Sequence, residues 1–147
     1  MKYLKIIEGK RSFDLDKMLM KPLFAHLSTA SPEGPRDSPV WFIWEDSCLW
    51  IIGTPEDTFP SRIQNTPSCA IGIVDFEPDS GKVYHAGFRG KASVELFNFK
   101  LAHKLFTKYL GSNDKNWDLR FKTQNSHNVF IRFVPETVVV RDQSYNV

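Results

Sequence analysis

The sequence has few of the residues that mark a metal site or a disulfide framework. It contains two cysteines and four histidines in 147 residues, and none of them has the spacing of metal ligands. Cys48 and Cys69 both lie within apolar, strand-like runs. We therefore expect two buried free thiols, no metal centre and a cytoplasmic protein, since a reducing compartment keeps thiols free.

Long apolar runs, blocks of one charge sign and catalytic motifs are also missing. No run approaches the roughly 18 apolar residues that span a membrane, and residues 1–5 lack the apolar core of a signal peptide. The net charge of +2 and the scattered basic residues do not indicate a nucleic-acid partner. Nucleophile-elbow, zinc-protease and phosphate-loop motifs are absent, so the sequence identifies no catalytic residue.

The chain contains enough apolar residues to build one hydrophobic core. Hydrophobic residues make up 41% of the chain and aromatic residues 14%, which excludes a disordered chain. A chain of 147 residues is typical of one domain, and we expect a single domain over residues 1–147.

Two apolar runs at the centre of the chain predict a hairpin. Residues 40–44 (VWFIW) and 48–52 (CLWII) are β-branched or aromatic at nearly every position, and the polar residues 45–47 between them predict the turn. Alternate residues of a strand point to opposite faces, and here both sets are apolar. Both faces must then be covered, one by a barrel interior and the other by a partner subunit, a helix or a flat aromatic ligand.

The remaining elements indicate a small closed barrel of five or six antiparallel strands with few long helices. The other predicted strands are residues 23–29, 69–74, 83–97 and 128–140. Within them, Gly87 and Gly90 indicate a bulge or a close approach, and Pro135 interrupts the last strand. Short helices are predicted after Ser12, which would cap the first, and at residues 61–65 and 116–123.

The longest predicted helix begins after Asn98 and stops at Gly111. Asn98 is a good N-terminal cap and Gly111 a typical C-terminal stop. Its apolar stripe consists of Phe99, Ala102, Phe106 and Tyr109. Lys100, Lys104 and Lys108 repeat on the other side and predict a solvated face.

Two groups of residues could contact a ligand. His85 and Arg89 emerge on the same face of a predicted strand, where they could hold an anion or the edge of a flavin, or form a partly exposed sheet face. In the segment 54–62, Thr58 or Asp57 can cap a helical turn that contains Pro60. Backbone N–H groups, hydroxyls and the guanidinium of Arg62 would there form a phosphate pocket, although many capped helices carry such an arginine.

The order of these pieces resembles the pyridoxamine 5'-phosphate oxidase-like family, the FMN-binding split barrels. The resemblance covers residues 23–96: the strand 25–30, Gly34 in a turn, residues 38–42 (SPVWF), residues 49–54 (LWIIGT), the spacing from Thr54 to Thr58, residues 63–73 and the strand 88–94. It implies a mainly β fold, a six-stranded antiparallel split barrel with peripheral helices. It also implies a homodimer with the cofactor at the subunit interface, which is one of the covers that the apolar hairpin admits.

The resemblance further implies which residues contact the cofactor. Ser38, Pro39, Val40, Trp41 and Phe42 would line the isoalloxazine, and Thr54 and Thr58 would supply hydroxyls to the phosphate or the ring. His85 lies near a position where the family often has a glutamine that faces the flavin. Where the family usually has a cation two residues after Thr58, this chain has Pro60, and Arg62 is the nearest substitute. The full set of expected cofactor contacts is completed by Phe59, Arg62 and Arg89.

The expected function is therefore that of an FMN-dependent oxidoreductase acting on an unidentified small molecule. Nothing near the C-terminus resembles the pyridoxamine-phosphate-binding residues of the oxidase itself, so that activity is not expected. The alternative is a non-catalytic protein on the same fold that binds flavin or haem, and a deazaflavin is a third candidate for the cofactor.

Overall fold

The computed structural model describes the backbone of residues 5–8 and the whole of residues 13–147. The strands are β1 (Lys5–Glu8), β2 (Ala25–Thr29), β3 (Arg36–Val40), β4 (Ile43–Glu45), β5 (Cys48–Gly53), β6 (Ser68–Glu77), β7 (Lys82–Leu96) and β8 (Val129–Asp142). The helices are α1 (Leu15–Leu19), α2 (Phe59–Asn65), α3 (Phe99–Leu110) and α4 (Leu119–Lys122), with a 3-10 turn at Asp114–Asn116.

One curled sheet organises the chain. Its strand order is β3-β2-β6-β7-β8-β5-β4, with β1 paired to β8. Strands β3 and β4 form the two ends of this order, yet only Trp41 and Phe42 separate them in the chain. Because two residues cannot cross the width of a flat seven-strand path, the sheet must curl until its ends meet. This arrangement confirms the predicted mainly β split barrel.

The strand number and one strand direction differ from the prediction. The described residues form eight strands of this sheet, and among them β1 runs parallel to β8 whereas every other pair is antiparallel. The predicted strand 40–44 is divided: Val40 ends β3 and pairs with Ala25, while Ile43 begins β4 and pairs with Trp50. The unbroken apolar pattern conceals this division, because the residues on both sides of the break are apolar and pack, partly buried, against a core.

The hairpin turn lies at two of the three polar residues predicted for it. Asp46 and Ser47 adopt positive φ angles of 54° and 58°, and Glu45 pairs with Cys48 on the neighbouring strand. Two left-handed residues give the turn a twist that matches that of the flanking strands.

The prediction that both faces of this hairpin are covered is confirmed. Phe42, Val40 and Trp44 belong to a core inside the curled sheet, which also contains residues of α1 and α2. Trp41 and Ile43 point the other way, with Trp50 and Ile52 of β5, and pack against α3. The cover on the second face is therefore a helix of the same chain. It does not require a partner subunit, and the homodimer stays a prediction.

Helix α3 begins and ends where the sequence predicts. The side chain of Asn98 accepts a hydrogen bond from Leu101 N at 3.0 Å, and Gly111 follows the helix with φ 95°. Two predictions about its faces were wrong. Phe99 is 66% exposed rather than part of the apolar stripe, and Lys108 is half-buried rather than solvated.

Strands β7 and β8 carry the predicted irregularity. Their register shifts at Gly90, which pairs with Pro135, whereas the preceding Arg89 pairs with Thr137. A Cβ at Gly90 would lie 2.2 Å from the carbonyl oxygen of Val134, so the close approach requires glycine. The bulge lets β8 continue through Pro135, which has no N–H for the ladder.

Helix α1 is capped by Asp14, whose side chain accepts a hydrogen bond from Lys17 N. The predicted cap, Ser12, lies outside the described residues. Within residues 13–147, none of the helices has the length and apolar character needed to cross a membrane.

Candidate functional site

A large cavity lies between α3, residues 120–128 and the loop that follows β5. We call it the helix-side cavity; it has a volume of about 750 Å³, which is within the range of small-molecule pockets. Its apolar wall consists of Trp41, Ile52, Leu105, Phe106 and Phe121. Its polar lining includes Thr54, Glu56, Arg120, Gln124 and Asn128. A mainly apolar cleft with a few polar groups suits a flat ring that must be both bound and oriented.

The link between β3 and β4, Trp41 and Phe42, is held rigidly at this cavity. The Trp41 ring stacks on Tyr109 at 4.5 Å between centroids and on Phe121 at 5.5 Å. The Tyr109 hydroxyl donates to the Leu23 carbonyl at 2.6 Å and accepts from Phe42 N at 3.1 Å. Burial raises the pKa of Tyr109 to about 12, against a smaller opposite effect of the Phe42 hydrogen bond. The hydroxyl therefore stays protonated at neutral pH and keeps both hydrogen bonds.

Lys108, the residue before Tyr109 in α3, also contacts the link between β3 and β4. Its Nζ donates to the carbonyls of Leu19 and Phe42, both at 2.9 Å, and lies 3.6 Å from the centroid of the Phe42 ring. Burial lowers the pKa of Lys108 to about 7. Two carbonyl acceptors and an aromatic face favour the ammonium form, so they oppose this effect of burial.

A pair of arginines lies at the end of the sheet beside α2. Arg62 Nε donates to Thr29 Oγ1 at 2.7 Å, and its Nη1 donates to Thr58 Oγ1 at 2.6 Å. Burial lowers the pKa of Arg62, and the nearby Arg36 lowers it further by charge repulsion. No carboxylate within residues 13–147 forms an ion pair with either arginine. We call Thr29, Arg36, Thr58 and Arg62 the arginine cluster; guanidinium groups are donors of the kind that bind anions.

The loop of residues 54–58 connects the helix-side cavity with the arginine cluster. Thr54 and Glu56 line the cavity, and Thr58 belongs to the cluster. Asp57 fixes the loop, because its side chain accepts hydrogen bonds from Thr54 N at 2.8 Å and Thr54 Oγ1 at 3.0 Å. Thr58 stands at the cap of α2 but makes no capping bond, and Pro60 occupies the first turn as predicted.

The outer face of the sheet carries a separate, shallow groove of about 330 Å³. Gly72 and Gly87 face each other across β6 and β7 and form its floor, with His85 and Arg89 beside them. A Cβ at Gly72 would meet nothing within 4 Å, and at Gly87 it would make only ordinary contacts. No contact within the described residues therefore requires a glycine at either position. We call this surface the outer-face groove.

The residues predicted to contact a cofactor lie in several places. Thr58 and Arg62 are hydrogen-bonded, Trp41 and Thr54 both line the helix-side cavity, and His85 and Arg89 share the outer-face groove. The other predicted contacts are Ser38, Pro39, Val40, Phe42 and Phe59. Phe42 and Phe59 are 0% and 4% exposed, so their side chains belong to the core.

Strand β3 separates its three predicted residues by face. Val40 packs against the core, and Ser38 lies on the same inward side, opposite the buried Leu27. Pro39 points outward and is exposed. Only Pro39 of these three therefore has a side chain on the outer surface of the sheet.

The polar residues of the site that were not predicted from the sequence are Thr29, Arg36, Glu56, Arg120, Gln124 and Asn128. Thr29 and Arg36 meet Arg62 only because β2, β3 and α2 come together in the fold. Residues 119–128 have no hydrophobic period and no motif, so nothing marked them as the wall of a cavity. Arg36 had a weak signal, since it is a cation two residues before the segment 38–42 that carries the family resemblance.

The thiols and the described acidic and histidine side chains do not form a catalytic or metal-binding group. Burial raises the pKa of Cys69 to about 11, so its thiol is not a nucleophile at neutral pH. Within the described part of the chain, no three His, Cys, Asp or Glu side chains lie close enough to share a metal ion.

No protein-family model matches the sequence, and no curated protein sequence matches it. Solved structures do match. An F420 reductase is 23% identical with a TM-score of 0.59, covering 84% of this chain and 94% of that protein. A candidate pyridoxamine 5'-phosphate oxidase from Listeria innocua is 17% identical with a TM-score of 0.64, covering 86% and 94%. HutZ, the haem storage protein from Vibrio cholerae, is 12% identical with a TM-score of 0.66, covering 88% and 93%.

These similarities confirm at the level of fold the resemblance that the sequence indicates. Identities below a quarter show a shared architecture, and function must be argued from the site.

Proposed function

We propose that this chain, with the split-barrel fold of the pyridoxamine 5'-phosphate oxidase-like proteins, binds FMN and acts as a flavin-dependent oxidoreductase on a small molecule. The isoalloxazine ring would lie in the helix-side cavity and the phosphate on the arginine cluster. The loop 54–58 would follow the chain of the cofactor between them. F420 in place of FMN needs the same two features, a cavity for a flat ring and a cation for a phosphate.

The observation that carries the proposal is the arginine cluster. The guanidinium groups of Arg36 and Arg62 repel each other, and Arg62 donates to two hydroxyls. Neither arginine forms an ion pair with a carboxylate within residues 13–147. A bound phosphate would remove that repulsion and use the remaining donors of Arg62. The cluster is joined by one short loop to the helix-side cavity, so an anionic group and a flat ring can belong to the same ligand.

The chain's own residues would bind and orient the reactants. FMN supplies the redox chemistry when it is bound. Trp41, fixed between two aromatic contacts, would set the position of the ring, and the apolar wall would exclude water from it. The residues that line the cavity do not include a nucleophile paired with a base, so we assign no catalytic residue. The substrate is unidentified, and nothing supports pyridoxamine 5'-phosphate oxidase activity itself.

A second copy of the chain is proposed to cover the outer-face groove. Val74 and Phe76 on this face are 48% and 53% exposed, and the floor of Gly72 and Gly87 permits close approach of another surface. A symmetric dimer would bring His85 and Arg89 to the cofactor of the partner. In such a dimer these two residues would contact the cofactor of the partner, although they lie apart from the helix-side cavity of their own chain. Free Cys48 and Cys69 fit a cytoplasmic location.

Haem binding is a second candidate, and the position of His85 favours it. His85 lies in the outer-face groove beside Gly87, with Arg89 and Arg141 along the same groove. A histidine above a glycine floor is a suitable axial ligand, and arginines suit the propionates of haem. In this case the groove, and not the helix-side cavity, would hold the cofactor.

Titration of the purified protein with FMN, F420 and haemin separates these candidates. The proposal expects FMN fluorescence to be quenched on binding, and the bound flavin to be reduced by a nicotinamide cofactor. Binding without reduction by any donor would leave a flavin carrier. Haemin binding that is lost in His85→Ala, without flavin binding, would replace the proposal by the haem alternative.

A further inference from the structure

The inner lining of the helix-side cavity contains a buried polar atom without a partner. Asn128 is 7% exposed, and its Oδ1 accepts no hydrogen bond from the described residues. A buried acceptor without a donor destabilises the fold, so such atoms are uncommon and call for an explanation. Asn128 lines the cavity, so a ligand bound there can supply the missing donor.

The hydrogen bonds around Asn128 determine which of its two amide groups is left over. Gln124 Nε2 donates to the carbonyl of Phe121 at 2.9 Å, and Asn128 Nδ2 donates to Gln124 Oε1 at 3.3 Å. A carbonyl can only accept, so Phe121 fixes the orientation of Gln124, and Gln124 in turn fixes that of Asn128. The free group is therefore an acceptor, and its ligand partner must be an N–H or O–H donor.

The walls restrict the donor further. Phe106, Phe121 and Trp41 require an apolar, flat body, and Asn128 requires a donor on that body. An isoalloxazine or deazaflavin ring satisfies both, because its pyrimidine end carries the N3–H group. Haem does not, since its rim offers propionate and apolar groups but no N–H. The orphan acceptor thus separates the two cofactor classes that the fold alone leaves open.

We propose that Asn128 recognises the N3–H group of a flavin or deazaflavin ring in the helix-side cavity. This inference rests on the proposed function for the cavity, but it does not depend on the arginine cluster. It gives residues 124–128 the role of a specificity wall that reads the pyrimidine end of the ring.

Lumiflavin and 3-methyllumiflavin test this without the phosphate site. Both are bare rings, and the second has a methyl group in place of the N3 proton. The wild-type protein should bind lumiflavin about three- to tenfold more tightly, the value of one neutral hydrogen bond. Asn128→Leu should bind both rings equally, because it has no acceptor. Thr123→Ala, at another residue that lines the cavity, should keep the preference.

The outcomes also separate this inference from the proposed function. Equal binding of the two rings by the wild type, or a preference that survives in Asn128→Leu, would overturn the role of Asn128 alone. The comparison of the two rings on wild-type protein needs no variant, so a folding defect in Asn128→Leu cannot obscure it. If neither FMN nor lumiflavin binds, the role of Asn128 and the proposed function fail together. A preference for lumiflavin without any advantage of FMN over lumiflavin would support Asn128 and refute the phosphate site.

Discussion

Replacing Arg62 tests the phosphate site, and the structure sets the size of the effect. Arg62 has five N–H donors, of which two bind Thr29 and Thr58, so three remain for a phosphate. A hydrogen bond to a charged group contributes about 1.5–3 kcal/mol. Arg62→Ala should therefore weaken FMN binding by roughly ten- to a hundredfold.

Riboflavin is the matched ligand for this experiment, because it has the same ring and side chain as FMN without the phosphate. Isothermal titration with both ligands should show that Arg62→Ala loses affinity for FMN and keeps its affinity for riboflavin. The preference of the wild type for FMN should also fall with rising salt, since the site is partly exposed. Lys104→Ala is the control, since Lys104 is exposed and bound to Glu45.

Two results would refute the reasoning on Arg62. Unchanged FMN affinity in Arg62→Ala would remove the arginine from the site. An equal loss for FMN and riboflavin would show that the variant disturbs the fold or the ring site. Thr29 is 1% exposed and loses its donor in this variant, so the fold must be checked. A thermal unfolding curve of each variant separates these cases.

Further predictions concern stability and assembly. Burial lowers the folded-state pKa of Lys108 from 10.5 to about 7, so the unfolded chain binds more protons above that value and stability rises with pH. The free energy of unfolding of the wild type, relative to that of Lys108→Met, should rise by about 1 kcal/mol between about pH 7 and about pH 8.5. This is half of what the full pKa shift would give, because the two carbonyls favour the charged form. A difference between the two proteins that stays constant with pH in urea unfolding would contradict this. Gly90→Ala should destabilise by about 2–3 kcal/mol, because its Cβ would overlap backbone. Gly72→Ala, where a Cβ meets nothing within 4 Å, should be neutral or stabilise by about 0.5–1 kcal/mol in the isolated chain. If the outer-face groove is a dimer interface, Gly72→Ala should nevertheless weaken association in sedimentation equilibrium, and wild-type protein that stays monomeric would refute the dimer.

The sequence predicts the local elements well where a single residue type determines them. Asn98 and Gly111 set the ends of α3, and the polar residues before Cys48 set the hairpin turn. It fails where both faces of a segment are buried. Trp41 and Phe42 look like the middle of a strand, yet they join the two ends of the sheet, and only the closure of the barrel explains why.

The candidate site shows the same limit more strongly. Thr58 and Arg62 are four residues apart, so their contact could be predicted from helical spacing. The hydrogen bond of Arg62 with Thr29 and its charge repulsion with Arg36 depend on the fold and have no local pattern. Lys108 was expected in solvent because it repeats with Lys104 on one helix face. That spacing does not reveal the carbonyls of Leu19 and Phe42, which accept hydrogen bonds from Lys108 in the fold.

The most direct test of flavin binding is gel filtration of the purified protein after incubation with excess FMN, with haemin in a parallel sample. The account predicts that FMN co-elutes with the protein in near-equimolar amount, with an altered visible flavin spectrum, and that Arg62→Ala retains much less. FMN that elutes entirely free, while haemin co-elutes with the protein, would contradict the account.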